Sequence, residues 1–274
     1  VSLLRRLLAT SGLPVAGTLV IAVVLLALFA PLVAGHDPYV GGADALLPPL
    51  SKNHPLGTDD LGRDIWAELA FGARVSLIVG VVTAASGLVI GVAVGALAGY
   101  AGGVLDAILM RVSEFFQTLP RFVLALIVIA LFGPGITKVI VVISILSWPQ
   151  TARVVRASFA SLRGAVFVDA ARIGGMRPLT VMAQEILPNA LAPIIVMGSL
   201  DVATAILLEA GLGFFGLGDP NLISWGGMLN EAQQYLRSAW WMALFPGLAI
   251  ALTVLGFNLL GDALNECLDP RAAR

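Results

Sequence analysis

The chain of 274 residues is 58% hydrophobic and 12% charged, with a mean hydropathy of +0.95, so a water-soluble fold of this length would expose more apolar surface than water tolerates. A net charge of −1 excludes a globally basic nucleic-acid binder, and a single cysteine, Cys267, excludes an internal disulfide. The two histidines, His36 and His54, read as too few and too separated for a metal site, which leaves an all-α membrane protein with no catalytic centre as the expectation.

In chain order, the first apolar run is Leu13–Ala34, preceded by Arg5 and Arg6. It is longer than the apolar stretch of a usual signal peptide and reads as a retained first helix. An acidic segment follows, with Asp37, Asp44, Asp59, Asp60, Asp64 and Glu68. Pro55, Gly57 and Gly62 are turn formers there, while Asp59, Arg63 and Asp64 either satisfy one another or present a contact surface. The second run, Val75–Tyr100, carries Gly87, Gly91, Gly95 and Gly99, a G-x-x-x-G ladder continued by Gly103. Small residues four apart strip bulk from one ridge so that another helix approaches closely; the spacing leaves open whether that helix is internal or belongs to another subunit.

The third run, Leu105–Phe132, is interrupted by Pro120, and Asp106, Arg111, Glu114, Gln117 and Arg121 sit toward its first half, which is expected outside the bilayer or facing the bundle. A fourth run, Val139–Ala157, leads into a polar loop over 158–190. The fifth, Leu191–Leu212, contains Asp201, with Thr204 at helical spacing and Glu209 near its end. A carboxylate at mid-membrane costs about 2.5–3.5 kcal/mol on insertion scales, so Asp201 either forms a buried structural pair or lines a wet cavity with Thr204 and Glu209. Gly211–Gly216 spells G-x-G-x-x-G but follows a membrane helix rather than a strand, so no dinucleotide site is expected, and the sequence has no G-x-x-x-x-G-K-[ST] to hold ATP. The sixth run is Trp240–Leu260.

Positive charge sets the expected orientation. Arg5, Arg6, Arg153, Arg156, Arg163, Arg172, Arg177, Arg271 and Arg274 fall on one side, against Lys52, Arg63, Arg74, Lys138 and Arg237 on the other. Both termini and the Arg153–Pro188 loop are therefore expected in the cytosol. The economical division is an N-terminal helix with its extracytoplasmic loop over 1–72, then a five-helix core over 73–274 with a cytosolic loop at 158–190.

Within that loop, Phe167–Gly174 has room for about two helical turns, with Asp169 near the N-terminus, where the helix dipole favours an anion. Gly174, Gly175 and Pro178 end it. Ala170 and Ala171 give a smooth surface able to enter a groove, Phe167 and Ile173 add apolar contacts, and Arg172 adds a charge. Taken alone, this helix is more simply an ordinary amphipathic connector.

The wider pattern favours the docking reading. Asp169-Ala170-Ala171, then Gly175, then Leu187-Pro188 resembles the EAA loop of ABC-importer permease subunits, which grips the ATPase. His54-Pro55-Leu56-Gly57-Thr58-Asp59-Asp60-Leu61-Gly62-Arg63-Asp64, followed by Gly72-Ala73-Arg74-Val75-Ser76-Leu77, is similar to the external segment of the C-type permease of dipeptide, oligopeptide and nickel importers. Gly99-Tyr100-Ala101-Gly102-Gly103, Ser147-Trp148-Pro149, Ala152-Arg153-Val154-Val155-Arg156, and Glu209 through Gly218 followed by Ser224-Trp225-Gly226 follow in the same order. Two departures stand out: Asp169 replaces the family's usual Glu, and Glu185 occupies a position where an apolar residue is common.

The resemblance implies the six-helix fold of type I ABC importers (MetI-like), with this chain as half of the pathway for short peptides. Nickel or another small solute is the alternative cargo. It implies ATPase coupling through Phe167, Asp169, Ala170, Ala171, Arg172, Gly175 and Pro188. It also implies binding-protein contacts at Pro55, Gly57, Thr58, Asp59, Gly62, Arg63 and Asp64. The implied partners are a homologous B-type permease, two cytosolic ATPases that bind ATP and Mg, an extracytoplasmic peptide-binding protein and membrane lipid; this chain binds no cofactor itself. An ion-coupled secondary transporter is a rival that Asp201, Glu209 and Pro120 fit faintly, but no internal repeat supports it. A membrane enzyme is a second rival and lacks any catalytic constellation.

Overall fold

The computed structural model describes residues 12–268; Arg5, Arg6, Arg271 and Arg274 of the orientation argument lie outside them. Among the described residues every regular element is helical, apart from two isolated β-bridges. The first apolar run forms α1 (Leu13–Leu28) and, after a break at Phe29, the short α2 (Ala30–Val33). The second forms α3 (Ile65–Ala101), 37 residues long, and so about 55 Å from end to end. It starts ten positions before the hydropathy boundary because Asp64 caps it, accepting from the Ala67 amide at 3.0 Å, and Glu68 sits in the first turn.

The third run is two helices, α4 (Gly103–Thr118) and α5 (Arg121–Phe132), bent by 80°. Leu119 is extended at φ −81° and ψ 135°, the conformation that the ring of Pro120 imposes on its predecessor. Beyond it come α6 (Ile136–Leu162), α7 (Val166–Ile173) and a helical segment α8 (178–189) whose middle, Val181–Ile186, is wound as a π-helix. The chain then forms α9 (Leu191–Phe214), α10 (Trp225–Ala232) and α11 (Trp241–Leu268). Four helices, α3, α6, α9 and α11, are long and apolar enough to cross a bilayer, and the bent pair α4–α5 makes a fifth crossing if it counts as one. The remaining expected crossing, α1, is a shorter apolar helix of 16 residues.

The glycine ladder packs inside the chain, which settles its partner. Cβ atoms added at Gly87, Gly91 and Gly99 would lie 3.1 Å from Ser147 Cβ, 2.6 Å from Thr151 Cβ and 2.7 Å from Phe159 Cβ, and one at Gly95 would meet Ala152 and Val155. The ridge of α3 is thus pressed along α6, the most extensive helix contact in the molecule. Three apolar cores flank this spine. One joins α1, α3, α9, α10 and α11 around the fully buried Trp225. A second, around Val79, Ile129, Ile143 and Leu212, joins α3, α5, α6 and α9. The third, around Val155, Phe159, Val168, Val181, Met182 and Ile186, fastens α7 and α8 beneath the ends of α3 and α6.

Candidate functional site

α7 has eight residues, one more at its start and one fewer at its end than the sequence suggests. Its termination is a Schellman motif: the Gly175 amide donates to Arg172 O at 3.0 Å and the Met176 amide to Ala171 O at 3.1 Å, with Gly175 at φ +81°. Only Val168 is buried on this helix, and it anchors the element in the core beneath. The other apolar side chains point outward: Val166 is 86% exposed, Ile173 89%, and Leu179 just beyond the helix 72%. Phe167, Asp169, Ala170 and Arg172 are exposed as well, and Ala171 is half-buried, packed toward Met176. One clasp ties α7 to its neighbour: the Arg172 guanidinium lies 5.1 Å from the centre of the Tyr100 ring, at the last turn of α3, while the Arg172–Asp169 pair at 3.4 Å stays within α7 itself. Pro188 is exposed on α8, where Glu185 is half-buried while Val181, Met182 and Ile186 do the packing. The acidic departure at Glu185 therefore leaves the core beneath α7 apolar.

The loop over 34–64 lies at the opposite end of α3. Of the seven residues expected to contact a partner there, Pro55 is exposed and Arg63 half-buried; Gly57, Thr58, Asp59, Gly62 and Asp64 are buried. Their polar groups hold the loop together. Thr58 Oγ1 accepts from the Leu47 amide at 2.8 Å and donates to Asp44 O at 2.6 Å, and Trp241 Nε1 donates to Thr58 O at 3.0 Å. Arg63 donates to Asp59 at 2.5 Å and to Glu231 of α10 at 2.6 Å, and lies 3.2 Å from Glu68. Burial disfavours the charged guanidinium, but Glu68, Glu231 and Asp59 outweigh it and raise the Arg63 pKa. Burial likewise pushes the Glu231 carboxyl up, against the pull of Arg63. Tyr39, Val40, Leu50 and Leu61 are the large apolar side chains on the loop's exposed surface, beside the exposed His36, Asp37, Lys52 and Asn53.

His36 and His54 are not separated. Gly35 at φ +71° and Asn53 at φ +67° each turn the chain into the histidine that follows, and the two rings stack with centroids 5.1 Å apart. His54 Nδ1 is 3.0 Å from Oδ1 of Asp64. Distance along the chain misled because the loop folds back on its own start.

Both intramembrane carboxylates are buried and hydrogen-bonded. Asp201, 6% exposed, accepts from Thr151 Oγ1 of α6 at 2.9 Å, and Glu209, 5% exposed, accepts from Ser76 Oγ of α3 at 3.0 Å. Thr204 is exposed, its hydroxyl donating to Leu200 O within α9. Sequence reading missed two other polar links. Asp106 of α4 makes a two-pronged pair with Arg156 of α6 at 2.8 and 2.6 Å. Ser113 and Gln117 both donate to the carbonyl of Pro149, each at 3.2 Å. The charged residues seen toward the first half of the third run were the signal for these.

Residues 91–274 match the family described as binding-protein-dependent transport system inner membrane component. The dipeptide transport system permease protein DppC of Alkalihalophilus pseudofirmus is 39% identical over 266 residues, covering 96% of this chain and 88% of that protein. DppC of Escherichia coli is 42% identical over 259 residues, covering 92% and 86%. The glutathione transport system permease protein GsiD of Pectobacterium atrosepticum is 38% identical over 269 residues, covering 97% and 89%. Among solved structures, the inward-facing MetNI methionine ABC transporter superposes with a TM-score of 0.59 at 22% identity, over 73% of this chain and 96% of that one. That last likeness concerns the fold.

Proposed function

The chain belongs to the family of binding-protein-dependent transport system inner membrane components, a multi-pass membrane permease subunit of ABC importers, and on that premise we propose that it forms half of an ATP-driven pathway for short peptides. Relatives named for dipeptide and glutathione transport match it along nearly its whole length, and this is the observation that carries the choice of cargo. In this reading α7 is the docking helix. It is held from below by Val168 and clasped to α3 through Arg172, and it offers Val166, Phe167, Ala170 and Ile173 to a groove of an ATPase subunit. Movement of the ATPases would then pass through α7 into α3 and, along the glycine ladder, into α6, a contiguous path of packed elements. ATP and Mg belong to the ATPases. A homologous permease completes the channel, and both termini and the 158–190 loop face the cytosol.

At the far end of α3, about 55 Å away and so beyond a hydrocarbon core of about 30 Å, the loop over 34–64 meets the peptide-binding protein. Its buried residues Gly57, Thr58, Asp59, Gly62 and Asp64 shape it, and Pro55, Leu50, Leu61 and Arg63 supply the surface. Asp201 and Glu209 brace α9 against α6 and α3, leaving Thr204 as the exposed member of that set.

The test is reconstitution of the chain with a homologous permease, two ATPase subunits and a peptide-binding protein from the same source, followed by uptake of labelled dipeptide and of labelled nickel into ATP-loaded liposomes. Dipeptide uptake that requires ATP and binding protein is expected. ATP-dependent nickel uptake without dipeptide uptake would reassign the cargo, and uptake driven by an ion gradient without ATP would overturn the importer.

A further inference from the structure

The chain has only two histidines, and the fold brings both to the same carboxylate. One ligand atom each of His36, His54 and Asp64 lies within 4.8 Å of the other two. From this convergence we infer that the loop at the start of α3 holds a divalent transition-metal site of the zinc class, with His36, His54 and Asp64 as its protein ligands.

Three features build the site. The backbone is set beforehand: Gly35 and Asn53 occupy left-handed conformations directly before the two histidines. His54 is pinned further, its amide donating to Ser51 O at 3.0 Å and its carbonyl accepting from the Gly57 amide at 3.1 Å. Asp64 is buried and held in place, one oxygen capping α3 through the Ala67 amide and the other 3.0 Å from His54 Nδ1. His36 is exposed and stacked on His54, so a rotation of its side chain at the surface closes the remaining gap. Ligands around a tetrahedral zinc ion stand about 3.3 Å apart, which follows from Zn–N bonds of about 2.0–2.1 Å. The pair His54–Asp64, at 3.0 Å, needs to open by only a few tenths of an ångström to reach it.

Two imidazoles and one carboxylate are a mixed nitrogen and oxygen set. It suits zinc, and by the general order of affinities copper and nickel bind it too, whereas magnesium and calcium prefer all-oxygen shells. Three protein ligands leave a fourth position open, for water or for a group brought by a docking partner. The ion would tie the chain leaving α2 to the first turn of α3, beside the Arg63 cluster. A binding-protein contact on this loop would then sense metal. The site itself stands on the three residues alone, whatever the chain transports.

The experiment uses the intact chain in its assembled complex, purified through a tag without histidine and stripped with a chelator. Cobalt(II) and then zinc chloride are titrated into wild type, His36→Ala and His54→Gln, following cobalt absorption and calorimetric stoichiometry. His36 is exposed, so its loss should not disturb folding; retained assembly and thermal midpoint verify that. The expected result is one additional equivalent of zinc in wild type relative to either variant, tetrahedral cobalt bands displaced by zinc, and affinity at least tenfold weaker in both variants. Equal stoichiometry and affinity in wild type and His36→Ala would overturn the site, as would absence of cobalt bands in wild type. Either failure would leave ATP-dependent uptake, measured on the same preparation, untouched.

Discussion

Asp201 shows how a single buried carboxylate is accommodated. Its hydrogen-bond partner is the Thr151 hydroxyl, a neutral donor; Arg121 acts on it only at longer range and keeps its own bond to Gln150 at 3.1 Å, so losing the charge breaks no salt bridge. Asp201→Asn keeps an acceptor for Thr151, and Asp201→Leu frees that hydroxyl to turn back to its own helix backbone. Both variants should assemble, with Asp201→Leu within about 1 kcal/mol of wild type, the scale of one hydrogen bond, as read from thermal midpoints in detergent. Loss of folded protein in both would mean that the carboxylate carries an ion pair supplied by another subunit.

Gly175 makes a second point at this scale. Its added Cβ would meet nothing within 4 Å, yet its φ of +81° makes any β-carbon strained, at about 1 kcal/mol for a non-glycine residue. Gly175→Asn, which tolerates that conformation, should preserve subunit assembly, and Gly175→Val should weaken it by loosening the end of α7. Equal ATPase recovery with both variants would show that the turn has no part in docking.

Among the elements, the α3–α6 seam is the tightest. Gly91→Val places a branched side chain where even a Cβ lies 2.6 Å from Thr151, and overpacking of this kind typically costs about 1–3 kcal/mol. Gly103→Val, at a position open within 4 Å but also of positive φ, should disturb only the α3–α4 turn. Thermal midpoints of the purified chain would therefore fall much further for Gly91→Val; the reverse order would argue against the ladder as the seam. The sequence made the ridge readable through its four-residue spacing, but the partner was not, because a glycine ridge carries no information about what lies against it. The same holds for α4 and α5. Pro120 marked a break, whereas the place of α4 beyond the 80° bend is held by the Asp106–Arg156 pair and the Pro149 carbonyl, contacts with α6 between residues far apart in the chain. The eight residues of α7 were legible almost to the residue because their limits are local: alanines within, glycines after. What Arg172 does was not, since its π partner Tyr100 sits at the end of α3. Tyr100→Leu should keep α7 folded and the ATPases bound while reducing uptake per ATP hydrolysed, and Tyr100→Phe should restore coupling. Equal coupling ratios in wild type and Tyr100→Leu would show that force does not pass this way.

At the scale of the whole molecule, one long helix connects two specialised ends. The loop over 34–64 is internally cross-braced through Thr58, Asp59 and Asp64, and α7 at the other end leaves most of its apolar side chains uncovered. An exposed apolar rim on an element with a buried anchor is what the proposed docking of α7 requires. Ala170 is the most direct probe of it, because its side chain is exposed and its position is helical, where substitution is tolerated. The decisive measurement is ATPase copurification together with labelled dipeptide uptake for Ala170→Glu against wild type, at equal amounts of permease in the membrane. The expected result is a permease that inserts normally but loses its ATPase subunits and imports at background level; wild-type ATPase recovery and uptake in Ala170→Glu would contradict α7 as the docking helix.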